Sequence, residues 1–510
     1  MKKGRILLIS PNLRGVDGGI NRIQPGLGVG YLAAVLEREG HEVYIRDTAL
    51  EGHSNKILQP DGQTILIGET DEQIASFISD LKPDIVGISV LFSNLAEHAH
   101  TVARIIKEVN PAIHVVMGGN HTTNATSDYE FSMVPGNDGF EVFRASHDIE
   151  DPNIDYAMAG ECDFAFAELV QALLEGSSPN AISGLIYHKD GRIVVNPRPP
   201  RADITKLPHP ARHLMNMEGY FKIGLFHSTK SLSSRVLNVM ASRGCPEVCT
   251  FCTTPEMWGA KVRWREPQDI FEEIRSGIEQ FGIEEVQFED DTLTANRPHL
   301  MELCDLIEPL EIPWCTPNGT KVNYHLKKQP SMFRRMKEAG CYQITLACET
   351  GVQRIMDDVI KKNLLLEEIQ PAIENAKGAG LLVHTFWIVG FPGETREEME
   401  RTIEFASHSG ADSYTISILN PLPGTPNYRH VVKNNLWWDP NRGIRDMLFR
   451  NSLIQTDGFS SSDEFQGWVN KQNIYLNGLV AINNPERAAL VRSIRGAQHV
   501  DDDAFKVKQT

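Results

Sequence analysis

The sequence predicts an α/β protein in three parts: an N-terminal doubly wound (Rossmann-like) sheet, a partial (β/α)6 barrel of TIM type, and a small, mostly helical C-terminal region. Three observations carry this reading. Short apolar runs alternate with amphipathic stretches over residues 1–190, a second series of six such units fills 236–428, and a proline-rich irregular crossing at 191–235 separates them. At 510 residues the chain exceeds one ordinary domain, for which ~150 residues is the usual scale.

The first element is the run Ile6-Leu7-Leu8-Ile9, stopped by Ser10-Pro11-Asn12. A secretory core needs ~7–15 apolar residues, so this run reads as a buried strand. Further strands are expected at 42–46, 84–90 and 113–117, with helices at 29–39 and 95–109 among the segments between them. Each strand ends in a polar or glycine-rich turn: Ser10-Pro11-Asn12, Asp47, Ser89, Gly118-Gly119-Asn120-His121. Doubly wound sheets bind ligands beyond these carboxyl ends, which makes the turns one rim. The second series has strands at 236–241, 285–289, 312–316, 342–347, 383–389 and 414–418, fewer than the eight of a closed barrel. Residues 429–510 read as helical and irregular, ending in an acidic-then-basic tail expected to be disordered.

Lys and Arg total 50 against 67 Asp and Glu, a net charge of −17, which excludes a general nucleic-acid binder. No apolar stretch approaches the ~20 residues that span a bilayer. Of eight cysteines, three fall within 245–252 and five are scattered (Cys162, Cys304, Cys315, Cys341, Cys348). That distribution suits a reducing cytoplasm and one metal centre better than a disulfide scaffold.

The three lie in Ser242-Arg243-Gly244-Cys245-Pro246-Glu247-Val248-Cys249-Thr250-Phe251-Cys252, directly after a predicted strand. Iron–sulfur clusters usually take four cysteines, so three leave one iron open to an outside ligand. The alternatives are a zinc site, for which no nearby fourth ligand is offered, and thiol chemistry at Cys249 and Cys252, which leaves Cys245 unexplained. The pattern Cys-x3-Cys-x-aromatic-Cys after the first strand of a partial barrel resembles the signature of radical S-adenosylmethionine (SAM) enzymes. The resemblance implies a [4Fe–4S] cluster on Cys245, Cys249 and Cys252, with SAM chelating the open iron and Phe251 beside it.

Four later motifs follow in the order the family shows. Phe288-Glu289-Asp290-Asp291 ends the second barrel strand, where the family's acid faces the SAM amino group. Cys348-Glu349-Thr350-Gly351 resembles the Glu-Ser-Gly turn whose acid approaches SAM. Phe386-Trp387-Ile388-Val389-Gly390-Phe391-Pro392-Gly393-Glu394 matches the adenine-side strand, with Phe386 in place of its first glycine, and implies SAM contacts from Ile388 and Gly390. Pro421-Leu422-Pro423-Gly424-Thr425-Pro426 closes the last strand.

In the N-terminal part, Gly28-Val29-Gly30-Tyr31-Leu32-Ala33 formally matches a dinucleotide fingerprint, with Asp47 ending the next strand. The true fingerprint sits directly after the first strand, whereas here a long loop through Pro25 intervenes. The series Pro25 to Leu36, Gly87-Ile88-Ser89, Gly118-Gly119 and Ala159-Gly160-Glu161 resembles cobalamin-binding domains. This implies a corrin on the strand ends, with cobalamin contacts from Asn12, Gly28, Asp47, Ser89, Leu91, Phe92, Ser93, Gly118, Gly119, His121, Gly160 and Glu161. Base-off cobalamin domains carry a histidine ligand in the first loop, yet no histidine precedes His41. Either cobalt lacks a strong lower ligand, with Leu91 or Phe92 covering that face, or the domain is degenerate.

Together, residues 1 to about 430 resemble cobalamin-dependent (class B) radical SAM methyltransferases. Cys249-Thr250-Phe251-Cys252-Thr253-Thr254, Pro313-Trp314-Cys315-Thr316-Pro317-Asn318-Gly319-Thr320 and Glu349-Thr350-Gly351-Val352-Gln353-Arg354 are nearest to C-methyltransferases of the fosfomycin antibiotic pathway. The resemblance implies that one SAM methylates cobalamin and a second yields a 5′-deoxyadenosyl radical. That radical takes hydrogen from an unactivated carbon, and methylcobalamin delivers the methyl group. No catalytic side chain beyond the cofactors is implied. The substrate is a small natural-product precursor, such as a phosphonate or a nucleotide-linked one. An external electron donor of flavodoxin or ferredoxin type is needed, with no nucleic-acid or membrane partner. Lys321, His384 and Tyr428 are candidate substrate contacts, set against a solvated lysine, a satisfied core histidine and a core aromatic. A non-methylating rearrangement or cyclisation, methylation at phosphorus, and a non-catalytic sensor are the alternatives.

Overall fold

The computed structural model describes residues 2–17, 19, 21–62, 64–132, 148–224, 226–227, 231–439, 446–448 and 451–496. The expected tail after 496 lies outside the described residues. No described helix is long and apolar enough to cross a membrane.

A seven-stranded sheet forms the N-terminal half. Its order is Arg192–Val195, Leu185–Lys189, Tyr156–Met158, His114–Gly118, Ile85–Ser89, Arg5–Ser10, Glu42–Asp47. The last five named are mutually parallel. In chain sequence they run 2-1-3-4-5, the flavodoxin-like order whose topological switch lies between Arg5–Ser10 and Ile85–Ser89. The ligand crevice therefore opens between Ser10-Pro11-Asn12 and Ser89-Val90-Leu91. The strands are buried on both faces, which explains their unbroken Val, Ile and Leu runs.

Two features depart from expectation. The crossing expected at 191–235 starts later, because Arg192–Val195 pairs antiparallel with Leu185–Lys189. Asp190 and Gly191 close this hairpin at φ +50° and +74°, the left-handed pair of a type I′ turn. The crossing also carries a helix, Met217–Ile223. Second, the loops at 13–16 and 56–67 form a small antiparallel sheet, Leu13–Val16 with Thr64–Ile67 and Lys56–Leu58. Strands this short and half exposed leave almost no periodic signal.

The second sheet holds six parallel strands in chain order: Val236–Val239, Glu285–Phe288, Trp314–Thr320, Cys341–Glu349, Leu382–Val389 and Ser413–Ile418. It is an open barrel whose two edge strands are tied by side chains, Arg212 donating to Asn238 O at 2.6 Å on the first. On the first strand, Asn238 donates to Pro25 O at 2.8 Å. On the last, Asn473 and Asn477 of helix Ser462–Asn483 bond both backbone groups of Ile416 and Tyr414, at 2.8–3.1 Å.

Candidate active site

The cysteine loop begins where the first barrel strand ends. Gly244 sits at φ +110°, and a side chain there would meet Lys261 O at 2.6 Å, so only glycine fits the turn into Cys245. The loop is then tied to the barrel rim: Thr250 donates from Oγ1 to Val359 O at 2.7 Å and from N to Ile360 O at 3.0 Å. Phe251 packs edge-on against Phe391, ring centres 5.9 Å apart. Tyr428 lies in the apolar cluster beneath the loop, packed on Trp437, and is fully buried. It supports the loop and does not line a pocket.

All eight cysteines are free. Burial pushes the Cys245 thiol up to about 11 and the Cys249 thiol up to about 12, and it also raises Cys252. Three thiolates in such surroundings need a cation to neutralise them, which fits iron coordination.

The acids predicted to face SAM divide by task. Glu289 bonds His227 Nδ1 at 2.6 Å through Oε2, while its buried Oε1 has no hydrogen-bond partner among the described residues. An unpaired acceptor at the barrel mouth suits an ammonium donor. Asp290 instead fastens the cysteine loop, accepting from Ala241 N at 3.0 Å and from the Ser242 hydroxyl. Asp291 accepts from Thr254 Oγ1 at 3.1 Å. Glu349 stands at φ +65° beside a break in register, so the strand end re-aims its side chain onto Lys362 at 2.7 Å. Thr350 braces that turn by accepting from Val352 N and pairing with Thr402. Glu394 accepts from Gly390 N at 2.7 Å and Phe391 N at 3.0 Å, shaping the turn after Ile388. At Gly390 itself an added Cβ would sit 2.9 Å from the Phe465 ring, so this glycine admits the C-terminal helix.

The other substrate candidates are already occupied. His384 bonds Ser413 Oγ at 2.8 Å and Thr415 Oγ1 at 3.1 Å through its two nitrogens. Lys321 pairs with Glu247 of the cysteine loop at 2.7 Å. His227, half exposed on the irregular crossing, enters the site unannounced by any motif.

On the N-terminal rim, Leu91 and Phe92 are 53% and 36% exposed beside the switch point, large apolar surface of the kind a flat macrocycle covers. Gly119, at φ +111°, would clash with Val90 O at 2.6 Å if it bore a side chain, and Gly118 and Ser89 keep the same edge low. His121 bonds Ser93 Oγ at 2.9 Å. Among the described residues, buried oxygens without hydrogen-bond partners gather along the same rim, Oδ1 of Asn12, Asn94 and Asn124, whereas Nε2 of His121 lies 3.4 Å from Asp148 Oδ1. A corrin, with its fringe of carboxamide arms, offers the matching groups.

Three expected cobalamin contacts, Asp47, Glu161 and Gly160, are engaged within the fold. Asp47 caps helix Thr48–Glu51 and accepts from Tyr220 Oη at 2.7 Å, which uses both its oxygens. Glu161 is buried against Arg243 and Arg263 of the barrel half. Gly30 admits Pro210 and Met215 and so answers to packing, whereas Gly28 faces open space. Gly160 packs near Pro199 and donates its N–H to Thr123.

The two rims face each other. Helix Asn120–Ser132, which follows Gly118-Gly119, bonds Glu256 after the cysteine loop through Ser127 at 2.8 Å and Gly424 N at the barrel mouth through Asp128 at 2.7 Å.

Comparison with known proteins agrees with this geometry. The Radical SAM superfamily matches residues 239–406, and the B12 binding domain matches 16–142. Cytidylyl-2-hydroxyethylphosphonate methyltransferase of Streptomyces wedmorensis is 30% identical over 498 residues, covering 92% of this chain and 89% of that protein. Among solved structures, the radical SAM methyltransferase TsrM from Kitasatospora setae, with tryptophan substrate and a SAM analogue bound, superposes with TM-score 0.64 at 17% identity, covering 83% and 74% of the two chains. The cobalamin-dependent radical enzyme OxsB, with aqua-cobalamin and SAM bound, gives 0.69 at 13% identity, covering 96% and 70%. A corrin-type rim fastened opposite a three-cysteine barrel mouth, together with a 30% identical methyltransferase along nearly the whole chain, leads to one conclusion: the chain belongs to the cobalamin-dependent radical SAM methyltransferase family.

Proposed function

We propose that this enzyme methylates an unactivated carbon of a small phosphonate, carried as a nucleotide conjugate. The observation that supports this substrate class is the near full-length similarity to the Streptomyces wedmorensis enzyme, whose name states such a substrate. Cys245, Cys249 and Cys252 would hold the cluster; Glu289, Glu349 and the turn at Ile388–Gly390 would hold SAM. Asn12, Ser89, Leu91, Phe92, Ser93, Gly118, Gly119 and His121 would seat the corrin. Bound there, these cofactors supply hydrogen abstraction and methyl delivery. The chain positions and shields. Its apolar loop bed, of Phe251, Phe391 and Tyr428, excludes water from the thiols, and His227 orients Glu289. A one-electron donor of flavodoxin or ferredoxin class drives the cycle, and the free thiols suit a reducing cytoplasm.

The test is anaerobic incubation of the reconstituted protein with dithionite, SAM and cytidylyl-2-hydroxyethylphosphonate. The expected result is 5′-deoxyadenosine and a product heavier by one CH2. Absence of 5′-deoxyadenosine would overturn the radical reading. Its formation with no mass gain would overturn the substrate class.

A further inference from the structure

A buried charge cluster joins the two halves beside the cysteine loop. Arg243, two residues before Cys245, is 4% exposed. Its Nη1 lies 2.7 Å from Glu161 Oε1 and 2.8 Å from Asp163 Oδ2, and its Nη2 lies 3.2 Å from Asp163 Oδ1. The guanidinium sits between the rings of Tyr31, at 4.9 Å, and Trp258, at 4.7 Å. Arg263 reaches the same Glu161 at 2.8 Å. Glu161 and Asp163 follow strand Tyr156–Met158, so they stand just beyond a strand end of the N-terminal sheet.

The far flank of the loop is fastened likewise. Glu256 accepts from Ser127 at 2.8 Å and from Arg198 at 3.2 Å. Segment 243–256 contains all three cysteines and is anchored at each end to the rim that faces it. A fork of donors held by two carboxylates and gripped between two ring faces is fixed in direction as well as distance, which a lysine could not reproduce. Burying such a group carries a desolvation cost that an ordinary packing contact would avoid.

We propose that Arg243, held by Glu161 and Asp163 and seated between Tyr31 and Trp258, is a positioning residue. It sets the spacing between the cysteine loop and the corrin-bearing strand ends, so that hydrogen abstraction and methyl delivery act on one substrate carbon. The proposal rests on the assignment of cluster and corrin given under Proposed function.

Two measurements test it on Glu161→Gln, Asp163→Asn and Arg243→Lys. In the full chain without added cofactors, hydrogen–deuterium exchange of Glu161→Gln should show raised uptake at 242–263, in the opposite half of the molecule. Uptake unchanged there overturns the proposal. In the reconstituted protein, with cytidylyl-2-hydroxyethylphosphonate as probe and with iron and corrin contents matched to the parent, 5′-deoxyadenosine formed per methylated product should rise about 10- to 100-fold, the scale set by a displacement near 1 Å. A parallel fall of both products, with their ratio unchanged, shows a merely structural contact and overturns it. If Glu161→Gln does not fold, Asp163→Asn, which keeps the Glu161 contact, should move both readouts in the same direction by less. Failure of the unaltered protein to retain corrin refutes the underlying assignment, and is distinguishable because the exchange measurement needs no cofactor.

Discussion

At the residue scale the barrel stores costly groups in its interior, and each makes a definite expectation. Lys362 and Glu349 are a buried pair at 2.7 Å, both under one tenth exposed. Removing one partner strands the other charge, so Lys362→Met should destabilise the protein by about 3–5 kcal/mol, read by denaturant unfolding. The double variant Lys362→Met/Glu349→Leu should recover most of that loss while ending SAM-dependent chemistry. Glu285 is fully buried, and burial pushes it up to about 7 despite hydrogen bonds from Tyr342 and the amides of Leu232 and Ser233. Because its folded pKa lies above the ordinary value of 4.5, the folded state keeps a proton that the unfolded chain releases. Stability is therefore full at acid pH and falls as pH rises from about 4.5 to about 7, by about 3 kcal/mol in all. Unfolding measured at pH 5 and pH 8 should show this difference shrink in Glu285→Gln; an unchanged slope would assign it to another group.

At the element scale, glycines and edges carry the expectations. Gly28 faces open space at the first turn of helix Leu27–Arg38, whereas a methyl on Gly30 would press within 2.8 Å of Met215 and 2.9 Å of Pro210. Gly28→Ala should change stability by less than about 0.5 kcal/mol, and Gly30→Ala should cost about 1–3 kcal/mol. Equal effects would count against the packing role of Gly30. On the far side, Asn473 and Asn477 imitate a neighbouring strand and pair the edge Ser413–Ile418. Asn473→Ala should cost about 1–3 kcal/mol and accelerate amide exchange at Ile416. Much of this level was legible. All six barrel strands and the four leading strands of the first sheet lie within a few residues of where their apolar runs place them, because a strand buried on both faces announces itself in composition. The small sheet at 13–16 and 56–67 was not legible, since its residues satisfy no local pattern strong enough to separate strand from loop.

For the whole molecule, the pairing of two rims means that a ligand seated on the first sheet should stabilise the full chain by mass action. Hydroxocobalamin at about 100 times its dissociation constant contributes about 2.7 kcal/mol, enough to raise the melting temperature of a chain this long by about 2–3 °C. A melting temperature indifferent to hydroxocobalamin would count against the corrin rim.

The chemistry was local in sequence: three cysteines in one loop, an acid at each of two strand ends, and low glycines at Gly118 and Gly119. Such motifs are readable because one backbone turn must present them together. Partners distant along the chain were not readable. Glu161 stands with the other rim residues in sequence, yet it faces Arg243, 82 residues away, instead of the corrin. Asp47 and His384 carry ligand-type groups that neighbouring strands and helices already satisfy. His227 reaches Glu289 from a segment without pattern. The sequence by itself determined which cofactors the two halves are built for. Only the tertiary structure decided which polar groups remain free to meet them, because a side chain's availability depends on every buried neighbour that has already claimed its hydrogen bonds.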